Sequence, residues 1–161
     1  MNHIRAFNII AAPVLFLGVT LQTGDAAAQS AKSLVGSWTI VKVGDSYGSS
    51  PKGMLIFDAS GHYSLTITRS DLPKFASDSR VKGTAEENKA VVAGSITHFG
   101  RYSVNQADKA LTFNIEGSTY PNWNGTVQKR PFKIVKDELT YTVATPSAGG
   151  AGNDVIWRRL K

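Results

Sequence analysis

The residues able to do chemistry in this sequence are few, and most sit in segments of alternating polarity. His98 and Tyr102 fall on one face with Ile96 and Val104, a face expected to point inward. A histidine and a tyrosine turned into an enclosed space can orient a ligand or protonate it. They can equally form a satisfied polar bond in a core, and His98 has no companion base or nucleophile in the pattern. Arg130 shares a face with Phe132 and Ile134. A buried guanidinium must be paired or solvated. It would either hold a ligand carboxylate in its fork of donors or bridge to Glu116. Tyr63, Phe57 and Tyr141 are expected to line or fill the interior. Trp123 follows Asn122 in a loop, where it would contact a ligand at a mouth or cap the core.

Other chemistries are poorly represented. Cysteine is absent, and His3, His62 and His98 lack the close spacing of common zinc sites. No phosphate loop, dinucleotide fingerprint or Gly-x-Ser-x-Gly elbow occurs, so neither metal nor cofactor is expected. The basic excess is scattered, with only Lys129-Arg130 and Arg158-Arg159 adjacent, which argues against a nucleic-acid partner. Asn124-Gly125-Thr126 matches a glycosylation acceptor but reads as a turn.

The elements that must position these residues are strands. Ser33–Val43 is rich in β-formers, and Gly53–Phe57 is a short apolar run closed by the turn Asp58-Ala59-Ser60-Gly61. In His62–Arg69, Tyr63, Leu65 and Ile67 alternate with polar residues. The same period recurs in Ser95–Val104, Ala110–Glu116, Thr126–Val135 and Glu138–Ala144, and Asp154–Leu160 makes the last strand. Between them, Asp71-Leu72-Pro73 resembles a helix start, and Thr84-Ala85-Glu86-Glu87 resembles a capping box. The expected fold is all-β: about eight antiparallel strands in an up-and-down barrel, with one or two short inserted helices and a sandwich as the alternative. A barrel of that size is filled by side chains or holds one small ligand.

Residues 1–28 read differently. Arg5 precedes the uncharged stretch Ala6–Leu21, and Ala26-Ala27-Ala28 follows, the order of a secretory signal peptide cleaved after Ala28. The stretch is shorter than the ~20 residues that span a bilayer, and it contains Pro13. Residues 29–161 would then be one domain, soluble and either periplasmic or secreted. The formal charge of +6 is unchanged by cleavage, because Arg5 and Asp25 leave together.

Several motifs occur in a recognisable order: Leu34-Val35-Gly36-Ser37-Trp38, Gly53-Met54-Leu55-Ile56-Phe57, Ser60-Gly61-His62-Tyr63, Asp71-Leu72-Pro73-Lys74-Phe75, Gly83-Thr84-Ala85-Glu86-Glu87, Phe99-Gly100-Arg101-Tyr102, Pro121-Asn122-Trp123-Asn124-Gly125 and Trp157-Arg158-Arg159. In that order and spacing the chain resembles the bacterial and fungal lipocalin-like domain family over about Leu34 to Arg159. The resemblance implies a lipocalin-like barrel and no particular reaction. It also implies that Trp38 packs near an arginine of the last strand, Arg158 or Arg159. Family members often carry a histidine in the strand before the Asn-Trp loop, where this chain has Thr112-Phe113-Asn114-Ile115-Glu116.

The expectation is an exported protein holding a small hydrophobic or amphipathic ligand, with or without an anionic group. Tyr63, His98, Tyr102, Trp123, Arg130 and Tyr141 would contact it. The alternative is a cyclase, isomerase or hydrolase using the same cavity, with His98 or Glu116 as acid or base and Arg130 stabilising charge. A third reading is a stability-only domain, its barrel filled by its own aromatics.

Overall fold

The computed structural model describes residues 30–161; the leader expected over residues 1–28 lies outside the described residues. Eight strands make up the fold: β1 (Gly36–Lys42), β2 (Lys52–Phe57), β3 (His62–Thr68), β4 (Ser95–Asn105), β5 (Ala110–Ser118), β6 (Val127–Val135), β7 (Glu138–Val143) and β8 (Asn153–Arg159). Each strand pairs antiparallel with the next, and β8 pairs back to β1. The result is a closed barrel, not a sandwich, so every strand has a partner on both sides.

Alternation sets the faces. Tyr63, Leu65 and Ile67 of β3, Ile96, His98 and Tyr102 of β4, and Leu111, Phe113 and Ile115 of β5 all point inward. Gly100 is required on β4, because a Cβ there would collide with the backbone oxygen of Asn114 on β5. The β4–β5 register shifts at Phe99/Gly100, which bends the wall at that point.

Two helices accompany the sheet. Helix α1 (Ala31–Leu34) occupies residues expected to begin the first strand. Leu34 of α1 is fully buried, so packing across the barrel end overrides the β preference of Leu34-Val35. Helix α2 (Ala85–Ala93) has the expected capping box, with Thr84 Oγ1 accepting from Glu87 N and Glu87 Oε2 accepting from Thr84 N. Glu87 Oε1 also accepts from Ala76 N at 2.9 Å, anchoring the irregular segment ahead of the helix. No helix starts at Asp71. Pro73 disfavours helical backbone at Leu72, and the Asp71 carboxylate is held by the Arg69 guanidinium at 2.8 and 2.6 Å. Among the described residues no helix is long and apolar enough to cross a membrane.

The two ends of the barrel differ. At one end α1 lies over the interior. Trp38 Nε1 donates to Leu34 O at 2.8 Å, and the Arg159 guanidinium stacks 4.0 Å over the Trp38 ring. Arg159 also donates to Val35 O at 2.8 Å and to Ser33 O at 2.5 Å. The expected tryptophan–arginine contact is therefore present, made by Arg159. The opposite end carries the β1–β2, β5–β6 and β7–β8 loops and is open.

Candidate functional site

The open end leads into a cavity of about 540 Å³, within the size range of small-molecule sites. Leu65, Ile67, Ile96 and Val155 form its apolar wall, and His98, Arg130 and Tyr141 supply polar groups. The rim comes from residues 42–47, Trp123 and the Gly-rich loop of residues 146–152.

The register explains the innermost polar contact. Leu65 lies opposite His98 across β3 and β4, and Tyr63 lies opposite Gly100. The missing side chain at Gly100 leaves room for the Tyr63 ring to lean diagonally toward His98. Its hydroxyl meets His98 Nδ1 at 2.8 Å. His98 is 1% exposed, and burial, reinforced by the positive charge of Arg130, pushes its pKa down to about 3. The imidazole is therefore neutral near neutral pH. Burial pushes the Tyr63 hydroxyl up, so it stays protonated.

Arg130 is also drawn inward. Its guanidinium carbon lies 4.8 Å from the Phe113 ring centre and 4.9 Å from that of Tyr141, two rings that meet edge-on beside it. Arg130 Nη2 donates to Gln128 Oε1 at 2.6 Å. The bridge to Glu116 does not form. Glu116 follows inward-facing Ile115 and therefore points out, where it lies 3.8 Å from Arg101. The same placement removes Glu116 as an acid or base within the cavity.

Tyr141 is fully enclosed, and burial pushes its hydroxyl pKa up while Arg130 and Trp157 pull it down. Trp157 Nε1 nonetheless has no partner at hydrogen-bond geometry. Trp123 sits in a short 3₁₀ turn, residues 121–123, and meets the His98 ring edge-on at 5.6 Å between centres. Its loop position thus serves the cavity wall directly.

Of the six expected contacts, His98, Trp123, Arg130 and Tyr141 line the cavity. Tyr63 lies behind His98 and acts on it. Tyr102 is elsewhere: its hydroxyl donates to Asp58 O at 2.8 Å in the β2–β3 turn, and its ring packs on Phe57. His98 and Tyr102 share a face, but four residues of strand separate them by about 13 Å. Among the aromatic lining residues, Tyr47 was not expected. Tyr47 hangs from the β1–β2 loop, and burial together with Tyr141 pushes its hydroxyl pKa up. It is a lone aromatic among the Gly, Ser and Asp residues of that loop, which was the available signal.

A closed antiparallel barrel, sealed at one end and open to a mixed apolar and polar cavity at the other, defines a lipocalin-like protein. A model of the lipocalin-like domain matches residues 35–160, and the chain belongs to that family. It is also similar to the 4'-hydroxy-3'-methoxypropiophenone carrier protein ppsC of Aspergillus oryzae. The two are 30% identical over 108 residues, covering 60% of this chain and 96% of that protein.

Proposed function

We propose that this protein is an exported binding protein that holds a small, largely apolar, ring-bearing molecule in the open half of its barrel. The observation that carries this reading is the cavity of about 540 Å³, walled by aliphatic side chains and edged by the rings of Trp123, His98 and Tyr141. Such walls take up apolar surface, and the few polar groups fix orientation. The similarity to a protein named as the carrier of a substituted aromatic ketone supports the same ligand class. Export rests on the order of charged, apolar and small residues in positions 1–28.

Native mass spectrometry of protein purified without denaturant tests the binding. A discrete small-molecule adduct, or saturable binding of the neutral fluorophore phenylnaphthylamine, is the expected result. Ile96→Trp, which fills the cavity from its wall, should abolish either one with the fold intact. Undiminished binding in that variant would place the ligand outside the barrel. N-terminal sequencing of the protein from the exported fraction should begin at Gln29; an intact Met1 there would remove the cleavage reading, and absence of the protein from that fraction would remove the export reading.

A further inference from the structure

We propose that the cavity takes its ligand as an anion, a carboxylate or phenolate whose oxygens are received by Arg130 and His98. This rests on the reading of the cavity as a ligand site and specifies which ligands it selects.

Arg130 is 4% exposed, and among the described residues no carboxylate lies within ion-pair distance of it. A guanidinium carries five N–H donors in a planar fork. The Phe113 and Tyr141 rings, whose centres are 5.8 Å apart, flank the guanidinium on one side, and the Tyr141 hydroxyl lies beside its donors. Gln128, a neutral amide, accepts from one of them. A desolvated cation without a counter-charge is costly, and an anion entering the cavity offsets that cost.

His98 contributes a second donor. His98 Nδ1 is the hydrogen-bond partner of the protonated Tyr63 hydroxyl, and donation to Nδ1 is the arrangement that places the buried hydroxyl proton. A neutral imidazole whose Nδ1 accepts carries its hydrogen on Nε2. Tyr63 thus sets the tautomer so that His98 is a neutral N–H donor. Both groups surround the same ring: His98 meets Phe113 edge-on at 5.9 Å between centres, on which Arg130 also stacks. The Tyr47 and Tyr141 hydroxyls complete the polar lining, and neither ionises near neutral pH. Lys42 on β1, Asp45 in the following loop and Asp154 on β8 lie exposed at the rim, and Asp154 accepts from Thr142 Oγ1. Arg130 is therefore the one buried charge of the lining among the described residues, and it is positive.

Two probes that share a ring system separate the outcomes: anilinonaphthalene sulfonate, an anion, and phenylnaphthylamine, its neutral counterpart. Charge-assisted hydrogen bonds are strong enough to favour the anion by roughly tenfold or more. The sulfonate should displace the neutral probe competitively, and Arg130→Met should bring the two affinities to within about twofold. Equal affinities in the native protein, or a preference that survives Arg130→Met, overturn the anion proposal and leave the binding reading standing. If neither probe binds, both readings fall. A second measurement needs no variant. Para-nitrophenol bound by the native protein should ionise at a lower pH than it does free, because its phenolate is the form preferred. A midpoint unmoved or shifted upward also overturns the proposal.

Discussion

Two arginines turn toward aromatic rings at opposite ends of this barrel, and their surroundings differ. Arg159, at the sealed end, stacks on Trp38 and donates to the carbonyls of Val35 and Ser33, so its fork is spent on the protein itself. Arg130, at the open end, lies against the Phe113 and Tyr141 rings, donates to the amide of Gln128 and has the Tyr141 hydroxyl beside it. The first ties α1 to β8 and closes the barrel. The second is held in place by its stacking, with donors left facing the cavity. A cation–π stack accompanies both, so the stack does not distinguish a structural arginine from one available to a ligand. The accounting of edge donors does.

The largest expected effect tests that difference directly. Arg159→Met removes a stack worth about 0.5–2 kcal/mol and two hydrogen bonds from a charged donor, and should destabilise the fold by ~3 kcal/mol. Arg130→Met replaces a buried, unpaired cation with an apolar chain of similar length, and stability should stay within ~1 kcal/mol of the native value. Urea unfolding of the two variants measures both. Equal losses would erase the distinction between the two ends.

A smaller effect comes from pH. His98 is neutral in the fold and has a pKa of about 3, against 6.5 when unperturbed. Well above pH 6.5 both folded and unfolded states are neutral at this site, and it adds no pH dependence. Below that, the unfolded chain takes a proton that the fold refuses, so stability falls by up to ~1.4 kcal/mol per pH unit until about pH 3. Between about pH 7 and pH 5 the loss should be ~2 kcal/mol, and His98→Gln should cancel that share. Carboxylates common to both proteins drop out of the difference. A native protein and a His98→Gln variant with parallel pH profiles would mean that the imidazole is not desolvated.

The barrel was largely legible in the sequence, because period-two alternation is a backbone property that survives tertiary context. It placed Arg130, Phe132, Tyr141 and His98 on inward faces; Glu116, offered as a partner of Arg130 or a cavity acid, alternates with inward Ile115 and faces out. Depth along the axis was not legible. A face says which side of the sheet a residue occupies, not which end, so His98 and Tyr102 looked like a pair though they serve opposite halves. Tyr47 was hidden for a different reason: a loop side chain has no period, and its direction depends on where the loop closes over the mouth. The expected first strand begins at Ser33 because Leu34-Val35 continues the β-rich run, whereas Ser33 and Leu34 close helix α1 and Leu34 is buried at the barrel end.

The smallest effect separates the ends most finely, through two tyrosines on neighbouring strands. The Tyr63 and Tyr102 hydroxyls each make one internal hydrogen bond of 2.8 Å, to His98 Nδ1 and to Asp58 O. Replacing either by phenylalanine removes one such bond and should cost ~1 kcal/mol, so unfolding alone does not tell them apart. Binding should. Tyr63→Phe frees His98 Nδ1 from its donor, and the neutral ring can then carry its hydrogen on either nitrogen. The anionic probe should weaken severalfold, while the neutral probe is little changed. Tyr102→Phe loses its bond in the β2–β3 turn, away from the cavity lining, and should leave both affinities as they were. If the two variants behaved alike toward the probes, Tyr63 would be a packing residue and the His98 tautomer would have no bearing on what the cavity holds.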